Sequence, residues 1–111
     1  MPAGEFIAIG LPIALGVVMI GAGVANFIGP RSVRDSFKRW GYSAGFHRVT
    51  GGLEAIAGLL LLIPASSWVG AIGSVVILTA AVITLIRHRD WGHLPGAVVL
   101  TAMAVAVTIR G

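Results

Sequence analysis

Charged residues in this 111-residue chain are segregated, and the segregation constrains the fold more than any motif does. Apart from Glu5, Glu54 and Arg110, every charge falls in two stretches, Arg31 to Arg48 and Arg87 to Asp90. Four charge-poor apolar runs lie around them. With 57% hydrophobic and only 11% charged residues, the chain is too apolar for a water-soluble domain of this length. The expected solvent is lipid, and the expected fold is all-α: one integral membrane domain over residues 1–111, an antiparallel four-helix bundle.

The first run, residues 6–29, is roughly 24 residues and exceeds the ~30 Å hydrocarbon core, so it can span with tilt. The runs 46–64 and 68–86 are each about 19 residues and match that core. The fourth, 94–109, is roughly 16 residues and slightly short, with Arg110 to snorkel at one end and Trp91 to anchor the other. The N-terminus lacks the basic region of a cleavable signal, so the first run is expected to remain as a transmembrane helix.

The net charge of +4 invites a nucleic-acid reading, but these cations are loop charges beside apolar runs rather than a stripe on a soluble face. No nucleic acid is expected. Arg31, Arg34, Lys38, Arg39, Arg48, Arg87 and Arg89 lie in the first and third connections, and the second connection, 65–67, has none. The positive-inside rule then puts loops 30–45 and 87–93 in the cytoplasm and both termini outside a cell (inner) membrane crossed several times. The absence of cysteine removes disulfides, thiol redox chemistry and Cys-based metal sites.

The first connection has its own pattern. Val33, Phe37 and Trp40 recur at helical spacing with Arg34, Lys38 and Arg39 on other faces, which predicts a short amphipathic interfacial helix. Pro30 blocks continuation from the first span, Ser32 is the expected N-cap, Asp35 and Arg39 form an i,i+4 pair, and Gly41 supplies the stop. Trp40, Tyr42 and Trp91 are expected as aromatic anchors at the cytoplasmic boundary and Trp68 at the opposite one. Pro64 to Ser67 predicts a tight turn joining two antiparallel helices. Small residues recur every four positions at Gly21, Ala25 and Gly29, at Gly51 and Ala55, at Gly70 and Ser74, and at Ala97 and Thr101. They allow close helix approach, either within one protomer or in a homo-oligomer.

Glu54 is the candidate functional residue. A carboxylate inside a membrane span costs on the order of 3 kcal/mol even on the mild insertion scale, so something must offset it. Counting 1.5 Å per residue from the cytoplasmic ends puts Glu54 about 12 Å deep and Thr79 and Thr101 each about 10 Å deep. Asn26, Thr50 and His47 extend this set toward the cytoplasm. Each has a bland alternative: a threonine bonding the carbonyl one turn back, an asparagine joining two helices, a histidine facing headgroups. With no cation in reach, the Glu54 carboxyl is expected neutral and able to donate to Asn26, Thr79, Thr101 or a polar ligand. If Arg48 bends inward, an ion pair forms instead. Metal and haem sites lack the ligand spacing they need, so none is expected.

The blocks Phe37-Lys-Arg-Trp-Gly-Tyr-Ser-Ala-Gly-Phe46, Gly51-Gly-Leu-Glu54 and Gly58-Leu-Leu-Leu-Leu-Ile-Pro64 resemble the DoxX-like membrane family (DoxX/DoxD superfamily). That family carries an F-x-x-x-G-Y-P turn, then G-x-x-E, then an L-L-I-P helix end. Family members often have Lys where Asn26 stands and Pro where Ser43 follows Gly-Tyr. The resemblance implies a four-helix membrane bundle, and it links some relatives to quinone-linked sulfur oxidation, to resistance to catechols and thiol stress, or to membrane-protein assembly.

Three functions follow as expectations. The first is a non-catalytic accessory subunit of a redox-linked membrane complex, not an enzyme on its own, with a membrane-protein partner or a second copy packed on its small-residue faces. The second is a quinone-binding or quinone-reducing component built on the Glu54 layer, with quinone as the one expected cofactor and none intrinsic to the chain. The third and weakest is a small transporter or channel, because broken-helix and inverted-repeat signals are missing.

Overall fold

The computed structural model describes residues 3–109, and those residues form helices and turns without strands. Five helices follow one another: α1 (Ala3–Ile28), α2 (Arg31–Arg39), α3 (Phe46–Leu62), α4 (Ser67–Arg87) and α5 (Leu94–Ile109). Arg110, expected to anchor the last helix, lies outside the described residues.

Proline sets the shape of α1 near its start. Pro12 has no N–H to give and its ring crowds the carbonyl one turn back. The helix passes through it by widening into a π-helical stretch, Phe6–Gly10, closed by the Leu11 N–H on the Phe6 carbonyl. The other end stops where Gly29 takes a left-handed φ of 65° and its N–H caps the Ala25 carbonyl. Pro30 then starts α2, accepting from the Val33 and Arg34 N–H groups.

Two details of α2 differ from the sequence expectation. Ser32 is not the N-cap, because α2 begins two residues earlier than that cap would set, at Arg31, with Pro30 in the cap position and no side-chain cap. Asp35 pairs with Arg31 at 3.9 Å rather than with Arg39, whose guanidinium is drawn across to Asp90 at 3.1 Å. Gly41 ends the helix at φ 85°. Phe37 is buried beneath it, its ring meeting Trp40, Tyr42, Phe46 and His47.

The turn after α3 is a single 3-10 turn, Pro64–Ser66, locked by the Ser66 hydroxyl on the Leu60 carbonyl at 3.0 Å. Helix α1 packs most extensively on α3, α3 on α4 and α4 on α5, with α5 returning to α1 more lightly. Leu15, Met19, Ala57, Leu61, Ala71, Leu78, Ala104 and Val107 form the core between them. The molecule is 42 Å along its long axis, close to the ~40–45 Å of a bilayer with its headgroups. Two helical segments, Ala3–Ile28 and Pro64–Arg87, are long and apolar enough to cross a membrane; Leu94–Ile109 is apolar but shorter. Large apolar side chains such as Val17, Ile56, Val76 and Val99 point outward along the whole length, as lipid-facing positions do.

Candidate functional site

The site begins with glycine. A Cβ on Gly23 would lie 2.6 Å from the Gly51 carbonyl oxygen and 2.5 Å from the Ala55 nitrogen, so only hydrogen fits there. Gly16 and Gly58 repeat the contact two turns away, each meeting the other's carbonyl at under 3 Å had it a Cβ. The contact glycines are thus seven residues apart on each helix, which keeps them on one face. Of the Gly21, Ala25 and Gly29 stripe expected from four-residue spacing, Gly21 and Ala25 face outward and Gly29 is buried against His47.

Close approach of α1 and α3 brings their polar side chains together. Asn26, three residues beyond Gly23, donates its Nδ2–H to Glu54 Oε1 at 2.5 Å; Glu54 is three residues beyond Gly51. Glu54 is 7% exposed. Arg48 is exposed and forms no ion pair with it among the described residues. The hydrogen-bond partner of Glu54 is therefore a neutral amide, not a cation.

Asn26 also lines a cavity of about 180 Å³ whose other walls are Ser32, Val33, Ser36, Phe37, Trp40 and His93. Its amide has two hydrogens, and one is committed to Glu54. The cavity thus presents a buried-side amide, two hydroxyls and two aromatic faces. That set suits a small polar head with a carbonyl acceptor and a flat ring. The volume is below the ~300 Å³ at which sites for drug-sized ligands begin, so there is room for a small group only.

The remaining candidates divide. Thr50 is half-buried one turn before Glu54 on α3. His47 is buried, packed edge-on to Phe37 and against Gly29, where any Cβ would strike its ring. Thr101 donates to the Ala97 carbonyl at 2.7 Å, the self-satisfying bond of a helical threonine. Thr79 is on an exposed face of α4 and is not brought to Glu54. Among the expected anchors, Trp68 and Trp91 are more than half exposed, whereas Trp40 and Tyr42 are tied into the structure.

Two polar junctions at the basic end escaped the sequence reading. Asp90 Oδ2 accepts from Arg39 Nη2 at 3.1 Å and from Trp40 Nε1 at 3.2 Å, and Oδ1 accepts from His93 Nδ1 at 2.8 Å. The His93 hydrogen bond is the main reason the Asp90 carboxyl sits below the usual carboxylate range, opposed by partial desolvation and aided by Trp40 and Arg39. The second junction joins Tyr42 to Thr84 at 2.6 Å. Thr84 spends its only hydroxyl hydrogen on the Ala80 carbonyl at 2.9 Å, so Tyr42 is the donor.

A model of the DoxX-like family matches residues 10–107, which takes in the glycine contacts, the Asn26–Glu54 pair and both junctions. The chain belongs to the DoxX-like family. No curated protein and no solved structure matches it. Family membership together with two helices of spanning length makes this DoxX-like chain a membrane protein. Glu54 and its partner Asn26 both lie within the matched residues. Among the described residues no group of three His, Asp or Glu side chains is placed to hold a metal ion.

Proposed function

We propose that this DoxX-like protein is a multi-pass inner-membrane four-helix bundle. In this reading its Asn26–Glu54 pair holds the carbonyl head of a quinone within a redox-linked membrane assembly, where the chain is a non-catalytic accessory subunit. The observation that carries the reading is that one residue serves two surfaces: Asn26 hydrogen-bonds the buried Glu54 and also lines the cavity. Glu54 is then a positioning residue and Asn26 the ligand-facing one. Ser32 and Ser36 supply further hydroxyls, and Phe37 and Trp40 supply ring faces.

The orientation follows from the two basic connections. They meet through the Arg39–Asp90 and Trp40–Asp90 bonds at one end of the molecule, which the positive-inside rule places in the cytoplasm. The cavity opens at that same end. A quinone held there would supply the redox chemistry, with electrons from a partner subunit; this chain's residues would bind and orient its head. Activity of the intact assembly tests the reading. Glu54→Leu, which removes the oxygen that accepts from Asn26, is expected to weaken quinone-dependent turnover with little change in assembly, and unchanged quinone binding together with unchanged turnover would overturn it.

A further inference from the structure

A second groove, which shares Trp40 with the first cavity, lies between the α2–α3 connection and α4 and has a volume of about 430 Å³. Its polar rim carries Arg87 and His88, and its floor runs down α4 to Ile83 and Ala80, one and two turns below Arg87. Both floor residues are exposed. The walls are fixed: Tyr42 donates to Thr84, and His88 Nδ1 lies 2.9 Å from the Thr84 carbonyl, an acceptor that requires the hydrogen on that nitrogen.

We infer that this groove binds an anionic glycerophospholipid of the bilayer, with its phosphate on Arg87 and its first acyl carbons on Ile83 and Ala80. Charge complementarity carries the assignment. The basic end holds Arg31, Arg34, Lys38, Arg39, Arg48, Arg87 and Arg89 against Asp35 and Asp90. Asp35 is taken by Arg31 and Asp90 by Arg39 and His93. Arg87 has no carboxylate partner among the described residues, and it stands at the headgroup level beside Trp40 and Tyr42, rings that favour that level. The apolar floor selects a lipid over a free phosphate ion, which would leave Ile83 and Ala80 unused.

The inference rests on the membrane reading, which detergent-dependent extraction checks separately: a chain recovered from the soluble fraction would overturn both. Native mass spectrometry of the detergent-solubilised protein, exposed to equal phosphatidylglycerol and phosphatidylcholine, tests the site. Preferential retention of phosphatidylglycerol is expected. Arg87→Gln should lower it about tenfold, more than the roughly five-fold that one basic residue near an anionic surface is worth, whereas Arg34→Gln should change it less than about two-fold. Equal retention of the two lipids, equal losses in the two variants, or displacement of the lipid by inorganic phosphate would each overturn the assignment.

Discussion

Gly23 and Gly51 face each other so closely that a Cβ on Gly23 would lie 2.6 Å from the Gly51 carbonyl oxygen, and each precedes by three residues one member of the Asn26–Glu54 hydrogen bond. The polar pair is short because the backbones touch one turn earlier. Helix packing and site geometry are thus one feature. A side chain at either glycine separates α1 from α3 and stretches the bond that offsets the burial of Glu54.

Gly23→Ala is therefore expected to destabilise the protein by about 1–3 kcal/mol, the usual cost of overpacking a close contact. Gly21→Ala, on the outer face with nothing within 4 Å of its added carbon, should be neutral or stabilise by about 0.5–1 kcal/mol through better helix propensity. Thermal unfolding in detergent, followed by circular dichroism, compares the two.

Gly29 carries two constraints where Gly41 carries one. Both have positive φ, but a Cβ on Gly29 would also strike the His47 ring, while Gly41 opens on space. Gly41→Ala should cost about 1–2 kcal/mol for the left-handed backbone alone. Gly29→Ala should cost clearly more in the same melt.

Ser74 is fully buried with an unpartnered hydroxyl oxygen. Removing an unsatisfied polar atom removes its desolvation penalty, so Ser74→Ala is expected to leave stability unchanged or raise it by up to about 1–3 kcal/mol. A melting temperature lower than that of the parent would contradict this.

The Asp90 junction gives the fold a pH dependence of definite sign. Its folded carboxyl titrates below the ordinary value, which is ~3.9 in an unfolded chain. The stability it contributes is thus fully present above that ordinary value and is lost as pH falls through the depressed one. Amide protection in residues 31–40, taken relative to the intrinsic exchange rate at each pH, should hold steady around neutral pH and fall only on strong acidification. In Asp90→Asn it should be low throughout.

Much of this architecture is legible in the sequence because its punctuation is local. Pro30, Gly41 and the Pro64–Ser67 turn end helices for reasons contained within a few residues, and the apolar runs fix the helices between them. Depth counting grouped Glu54 with Thr79 and Thr101 and set Asn26 toward the cytoplasm as a further possible partner, and it is Asn26 that bonds Glu54. It failed for Thr79 because depth is only one coordinate: at 3.6 residues per turn, a residue five places from both Ser74 and Thr84 points away from the face they share. Asp90 and Tyr42 were hidden for another reason. Their partners are about fifty and forty positions distant, and no local pattern encodes which loop folds over which helix end. The seven-residue spacing of the contact glycines was present but was outweighed by the more conspicuous four-residue stripes.

The central claim is that the Asn26 amide, held by Glu54, binds a ligand head in the cavity beside Trp40. Titration of a short-chain quinone, read by tryptophan fluorescence quenching, tests it most directly when the parent is compared with Ser36→Leu, which fills the cavity without touching the hydrogen bond, and with Asn26→Ala. Saturable quenching in the parent, lost in both variants and retained in Thr79→Val, is the predicted result; quenching that is equally strong in Ser36→Leu and Asn26→Ala would contradict it.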